Sequence, residues 1–235
     1  MDFPMMVKGI FRPGVLVAVV VCGPCLHAQE PAVAQAAESC RAPYTATQWS
    51  TTKTIMPDGT VKTITGEVDL AQSSRGQLRM VAHAWSNGSE RETQPVTQIH
   101  IQDWKNHTFV MLFPSEHSAV KADLPAADAT EAAAAEALVP KSIKTDLGHR
   151  TIKGIDVIGQ RDVFTSMKPD GKSGSKRKVT RTVESWSNPS MCLTMEVVTR
   201  DSDNNTSRNE TTSVSTQEPD PSLFRIPSGY TLSNP

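Results

Sequence analysis

Thr45-Ala46-Thr47-Gln48-Trp49-Ser50-Thr51-Thr52-Lys53-Thr54-Ile55, then Pro57-Asp58-Gly59, then Val61-Lys62-Thr63-Ile64-Thr65-Gly66-Glu67-Val68-Asp69-Leu70 is the stretch that decides the fold. β-Branched residues crowd the first run, and Ile64, Val68 and Leu70 fall on one side of a two-residue period in the second. Such side chains suit a pleated strand, and Pro-Asp-Gly supplies a turn, so the two runs read as a hairpin. Downstream, Ser74-Arg75-Gly76 turns the chain into Gln77–Trp85, where Leu78, Met80, Ala82 and Ala84 alternate with Arg79, Val81 and His83. An antiparallel meander is expected.

The pattern continues through the rest of the chain. A polar loop from Asn87 to Pro95 leads to Val96–Gln102, and Asp103-Trp104-Lys105-Asn106 turns into His107–Phe113. That last run is apolar on both sides, with Phe109, Met111 and Phe113 against Val110 and Leu112, so a cover over each face is expected. The helix candidate is Pro125–Leu138, rich in alanine, with Asp128, Glu131 and Glu136 inside it and Pro140 as a stop. Strands then resume over Arg150–Ile155, Asp156–Met167, Val179–Ser187, Met191–Arg200 and Ser207–Gln217, with Pro169-Asp170-Gly171 and Asn188-Pro189 among the turns. The fold class expected is mainly β with a helical insertion (α+β), built on a long, mostly antiparallel sheet.

The first residues read differently. Lys8 and Arg12 precede the apolar run Val15–Val21, and Leu26-His27-Ala28 makes a small-residue exit. This pattern is that of a secretory signal peptide over residues 1–28, cleaved near Ala28 or after Ala34. The run falls short of the roughly 17–25 apolar residues that span a bilayer, although an uncleaved short anchor is the alternative. Nothing after residue 28 is apolar enough to add a span, so a periplasmic or secreted chain is expected. Residues 29–40 form a flexible lead-in, and 41–235 form one domain. Cys22 and Cys25 fall inside the signal segment, where their C-x-x-C spacing carries no redox meaning. Cys40 and Cys192 remain after cleavage. In an oxidising compartment they either bridge, closing a loop worth about 4–5 kcal/mol, or stand as two separate buried thiols. A net charge of −1 for the 235 residues argues against nucleic acid as a partner.

Several motifs together carry a family resemblance: Ala46-Thr47-Gln48, Gly66-Glu67-Val68, Gly76-Gln77-Leu78-Arg79, Thr151-Ile152-Lys153-Gly154-Ile155-Asp156-Val157-Ile158-Gly159 and Glu184-Ser185-Trp186-Ser187. The most distinctive is the close, Pro219-Asp220-Pro221-Ser222-Leu223-Phe224-Arg225-Ile226-Pro227-Ser228-Gly229-Tyr230. From about residue 44 to 232 the chain resembles the periplasmic half-barrel group of LolA- and LolB-like lipoprotein carriers and the RseB sensor, with the uncharacterised exported proteins of acidobacteria and similar bacteria nearest to it. The resemblance implies a strongly curved antiparallel sheet (a half-barrel) of roughly ten or eleven strands. It also implies an apolar cavity on the concave side, lidded by helices, which takes acyl chains in the carriers.

Catalytic and metal chemistry find little support. His83, His100, His107, His117 and His149 fall on separate runs with no tight pair at ligand spacing, so no metal site is expected. Ser173-Gly174-Ser175-Lys176 matches S-x-x-K but lies on a glycine-rich hairpin tip rather than a helix start. No cofactor and no enzyme activity are expected. The leading expectation is a non-enzymatic envelope protein that binds a lipid or lipoprotein acyl chain, with Met80, Phe109, Met111, Phe113, Trp186 and Met195 as cavity candidates. The alternative is a sensor or interaction domain whose core is filled by its own side chains and whose partner is an envelope protein.

Overall fold

A computed structural model describes residues 42–88, 94–124, 142–169 and 176–233. The opening hairpin forms as β1 (Tyr44–Ile55) and β2 (Val61–Gln72), in unbroken register from Tyr44 opposite Gln72 to Ile55 opposite Val61. The meander then adds β3 (Gln77–His83), β4 (Ser86–Asn87), β5 (Val96–Asp103), β6 (Thr108–Phe113) and β7 (Ser118–Asp123). The second half comprises β8 (Ser142–Ile152), β9 (Ile155–Pro169), β10 (Lys176–Asn188), β11 (Leu193–Asp201), β12 (Thr206–Ser215) and the short β13 (Thr231–Ser233). Lys153 and Gly154 join β8 to β9 with φ of 51° and 79°. Two successive positive φ values define the tight turn whose twist matches antiparallel strands, and glycine makes the second one cheap.

The thirteen strands of the described residues belong to one sheet, in the order β13-β7-β6-β5-β3-β2-β1-β12-β11-β10-β9-β8, with β4 paired to β2 off this path. Every pairing is antiparallel except that of β13 with β7. Two corrections to the expected fold class follow. First, the sheet is open, neither closed nor strongly curled, so it is not a half-barrel. Each hairpin adds a strand beside its predecessor, and the path ends on β13 and β8, which do not meet. Second, the fold is mainly β rather than α+β among the described residues, where helical structure is limited to 3-10 turns such as Pro114–Glu116 and Pro221–Phe224. The expected helix Pro125–Leu138 lies outside the described residues, as do the signal segment and Cys40.

Apolar packing divides into two clusters. Tyr44, Ala46, Val157, Met191, Leu193 and Met195 make one, joined by Leu70, Ile152, Ile155, Trp186 and Val214. Ala71, Ile101, Val110, Leu112, Ala119 and Phe224 make the other, with Leu223, Ile226 and Tyr230 against them. The second cluster depends on the closing segment. Pro221 starts its 3-10 turn with φ already set, and the Asp220 carboxylate accepts the Ser222 N–H at 2.8 Å. That hydrogen bond holds the Asp220 carboxyl below its usual pKa. The cap fixes the direction in which Leu223 and Phe224 enter the sheet, and burying Phe224 contributes about 1.5–3 kcal/mol.

Candidate functional site

Strand register assigns the faces of β2, β3, β5, β6 and β7. Successive side chains of a strand point to opposite faces, and residues paired across strands share one. Ala71, Ile101, Val110, Leu112 and Ala119 therefore face the closing segment. On the opposite face the register draws two parallel rows. One runs Leu70, Met80, His100, Met111, Val120, and the other runs Leu78, Gln102, Phe109, Ala122. Phe113, opposite Ser118, continues the same face. All of these residues are half-buried.

Four of the six candidate residues, Met80, Phe109, Met111 and Phe113, thus come together on one face. The other two do not join them. Met195 is only 1% exposed, inside the first cluster. Trp186 lies across Gly159 on β9, with the Arg150 guanidinium 3.8 Å from its ring centre.

His100 stands between Met80 and Met111, its ring edge against Phe109 at 5.5 Å between centres. Burial disfavours its charged form and lowers its pKa. A neutral imidazole keeps this face free of formal charge at neutral pH, which suits an uncharged apolar occupant. No motif marks His100 for this face, because its place follows from the pairing of β5 with both neighbours.

The other face holds a polar group that the spacing of histidines did not reveal. Glu67 and Asp69 alternate on β2 with Ala71, and His83 ends β3 at a register shift between Ala82 and His83. His83 Nε2 lies 3.0 Å from Asp69 Oδ2 and 3.9 Å from Glu67 Oε1. Its Nδ1 meets the Gln94 carbonyl at 2.8 Å, and the Thr47 hydroxyl donates to Asp69 Oδ1 at 2.7 Å. Burial alone would lower the imidazole pKa, but the Gln94 and Asp69 hydrogen bonds and both carboxylate charges outweigh it, and the net shift is upward.

Two cavities open on the sheet. One of about 370 Å³ is lined by Arg150, Ile152, Met195, Glu196, Arg208 and Glu210, whose charges are largely committed to each other through Arg150–Glu196, Arg208–Glu196 and Arg208–Glu210 pairs. The other, about 240 Å³, borders Asp69 and Arg79. Beside the hairpin tip that carries Ser173-Gly174-Ser175-Lys176, Arg177 pairs with Asp203, and 170–175 lie outside the described residues. Cys192 is disulfide-bonded. Among the described residues no helix is long and apolar enough to cross a membrane.

The fold defines an open, single-sheet β-protein. No family model matches the chain, and no curated protein matches it. At low identity and partial coverage it is similar to solved structures of the LolA- and RseB-like kind. The MucA/MucB complex of Pseudomonas aeruginosa is 12% identical, with a TM-score of 0.41 over 86% of this chain. This chain spans 62% of the length of that one. A LolA superfamily protein of Nitrosomonas europaea is 10% identical over 84% of this chain and 98% of its own, with a TM-score of 0.33. A β-barrel-like protein of Brucella abortus, from a domain of unknown function, is 12% identical over 75% and 98%, with a TM-score of 0.35.

Proposed function

We propose that the chain is an exported, non-enzymatic binding protein that holds an acyl chain on the face built by Met80, Phe109, Met111 and Phe113, with Leu78 and His100 between them. The observation that carries this reading is the register: two rows, apolar but for His100 and Gln102, run side by side, one across β2, β3, β5, β6 and β7 and the other across β3, β5, β6 and β7, and both are half-buried. Each methylene taken from water by such a surface contributes about 0.8 kcal/mol. Unbranched methionine side chains adapt to chains of different length, as a lipid-handling surface requires. Export follows from the leader read in residues 1–28, which makes the location periplasmic or secreted and favours a bridge between Cys192 and Cys40.

The test uses delipidated full chain and a fluorescent fatty acid. Saturable binding is expected, and Met111→Trp and Phe113→Glu should each weaken it about tenfold or more without a matching fall in melting temperature. Binding that survives both substitutions would move the site away from this face. No binding at all would favour an envelope protein as the partner.

A further inference from the structure

The geometry points to a divalent transition-metal site, of the zinc class, at Glu67, Asp69 and His83. One ligand atom from each lies within 4.8 Å of the other two. The Gln94 carbonyl can only accept, so His83 Nδ1 must carry the proton it shares with that oxygen. Nε2 faces two carboxylates and, without a metal, shares a proton with Asp69; a divalent cation that takes the place of that proton would bind Nε2 and both carboxylates.

The spacing fits. Bonds of about 2.1 Å in tetrahedral geometry place neighbouring ligand atoms about 3.4 Å apart. The observed Nε2 distances of 3.0 and 3.9 Å bracket that value. The supports a metal site requires are also present. The Gln94 carbonyl orients the imidazole through its far nitrogen, and the Thr47 hydroxyl fixes the Asp69 carboxylate from behind. The His83 side chain is only 10% exposed, and His83 follows a register shift in the pairing of β3 with β5. One nitrogen and two oxygens leave a fourth position for water, and a cavity of about 240 Å³ borders Asp69. Arg79, which also feels the Asp69 charge, is a neighbouring cation that the site must tolerate.

This site lies on the opposite face from the apolar rows, so its failure and that of the acyl-chain reading are separable. The experiment is calorimetric titration of tag-free, EDTA-treated full chain with zinc sulfate at neutral pH, repeated with Co²⁺ to read its visible absorption. One equivalent should bind. Asp69→Asn, which keeps the shape and the Thr47 hydrogen bond, and His83→Ala should each weaken binding by about 100-fold, and Thr47→Val by about tenfold. Circular dichroism melts of the metal-free variants verify that each is folded. Absence of uptake would overturn the site in favour of a proton on His83, and uptake that both Asp69→Asn and His83→Ala leave intact would place the metal on other histidines.

Discussion

The two halves of the sheet solve the same burial problem differently. Around β1 and β9 to β12 the core closes with strand and turn side chains: Val157 is 0% exposed, and Leu193 and Met195 are each 1%. Around β3 and β5 to β7, among the described residues, one face is sealed by the closing segment and the other stays half-buried. A half that fills itself has little to offer an apolar ligand. The half that borrows its cover on one side has apolar surface to share on the other.

The strongest way to break this contrast is to remove the borrowed cover. Phe224→Ala should cost about 3–5 kcal/mol in urea denaturation, with hydrogen exchange accelerating first in β5 to β7. An unchanged midpoint would show that this half, too, fills itself.

A smaller effect sharpens the same contrast through two glycines that lie under tryptophan rings. A Cβ on Gly159 would sit 2.5 Å from the Trp186 ring, and one on Gly66 would sit 2.6 Å from that of Trp85. Trp186 is half-buried and held by Arg150, whereas Trp85 is 61% exposed and free to swing away. Gly159→Ala should therefore cost about 1–3 kcal/mol and Gly66→Ala less than about 1 kcal/mol. Equal losses in the two melts would erase the distinction.

The smallest effect is electrostatic. His100 has a folded-state pKa below the 6.5 of the unfolded chain, so the unfolded state takes up its proton first as pH falls. Its contribution is intact above pH 6.5 and is lost as pH falls from there toward the lower folded value. Acyl-chain binding, which buries His100 further, should weaken over the same range, and His100→Gln should flatten that dependence. A pH profile unaltered by His100→Gln would remove this residue from the ligand face.

Much of the strand pattern was legible because hairpins announce themselves locally. The Pro57-Asp58-Gly59 turn and the alternation in β2 and β3 need only neighbours in sequence. β7 escaped notice because Ser118-Ala119-Val120-Lys121-Ala122-Asp123 has small side chains and weak alternation, and it becomes a strand by pairing with β6. β3 read as far as Trp85, but it ends at His83, where the register shifts, and Trp85 lies over Gly66 instead. Curvature was not legible at all, since it depends on how bulges and twist accumulate across the sheet rather than on any one strand. The candidate face was legible as residue types but not as a place. Met80, Phe109 and Met111 share a surface through register, and Met195, of the same type, is sealed inside the first cluster. The Glu67, Asp69 and His83 group was invisible for a related reason: its members are not at motif spacing and meet only across β2 and β3.

The pairing of β1 with β12 places Thr45 opposite Ser215 and Lys53 opposite Thr206 at the centre of the sheet. Nearly the whole domain must be spanned before that seam can close, at an entropic cost that no local contact offsets. Each meander can assemble from its own hairpins in quick local steps, but joining them is a late, long-range event. Refolding is accordingly expected to be limited by this zipper, and during the delay both unpaired strands present bare edges. A chain built this way is most exposed to mispairing with its own copies after its parts have formed and before they have met.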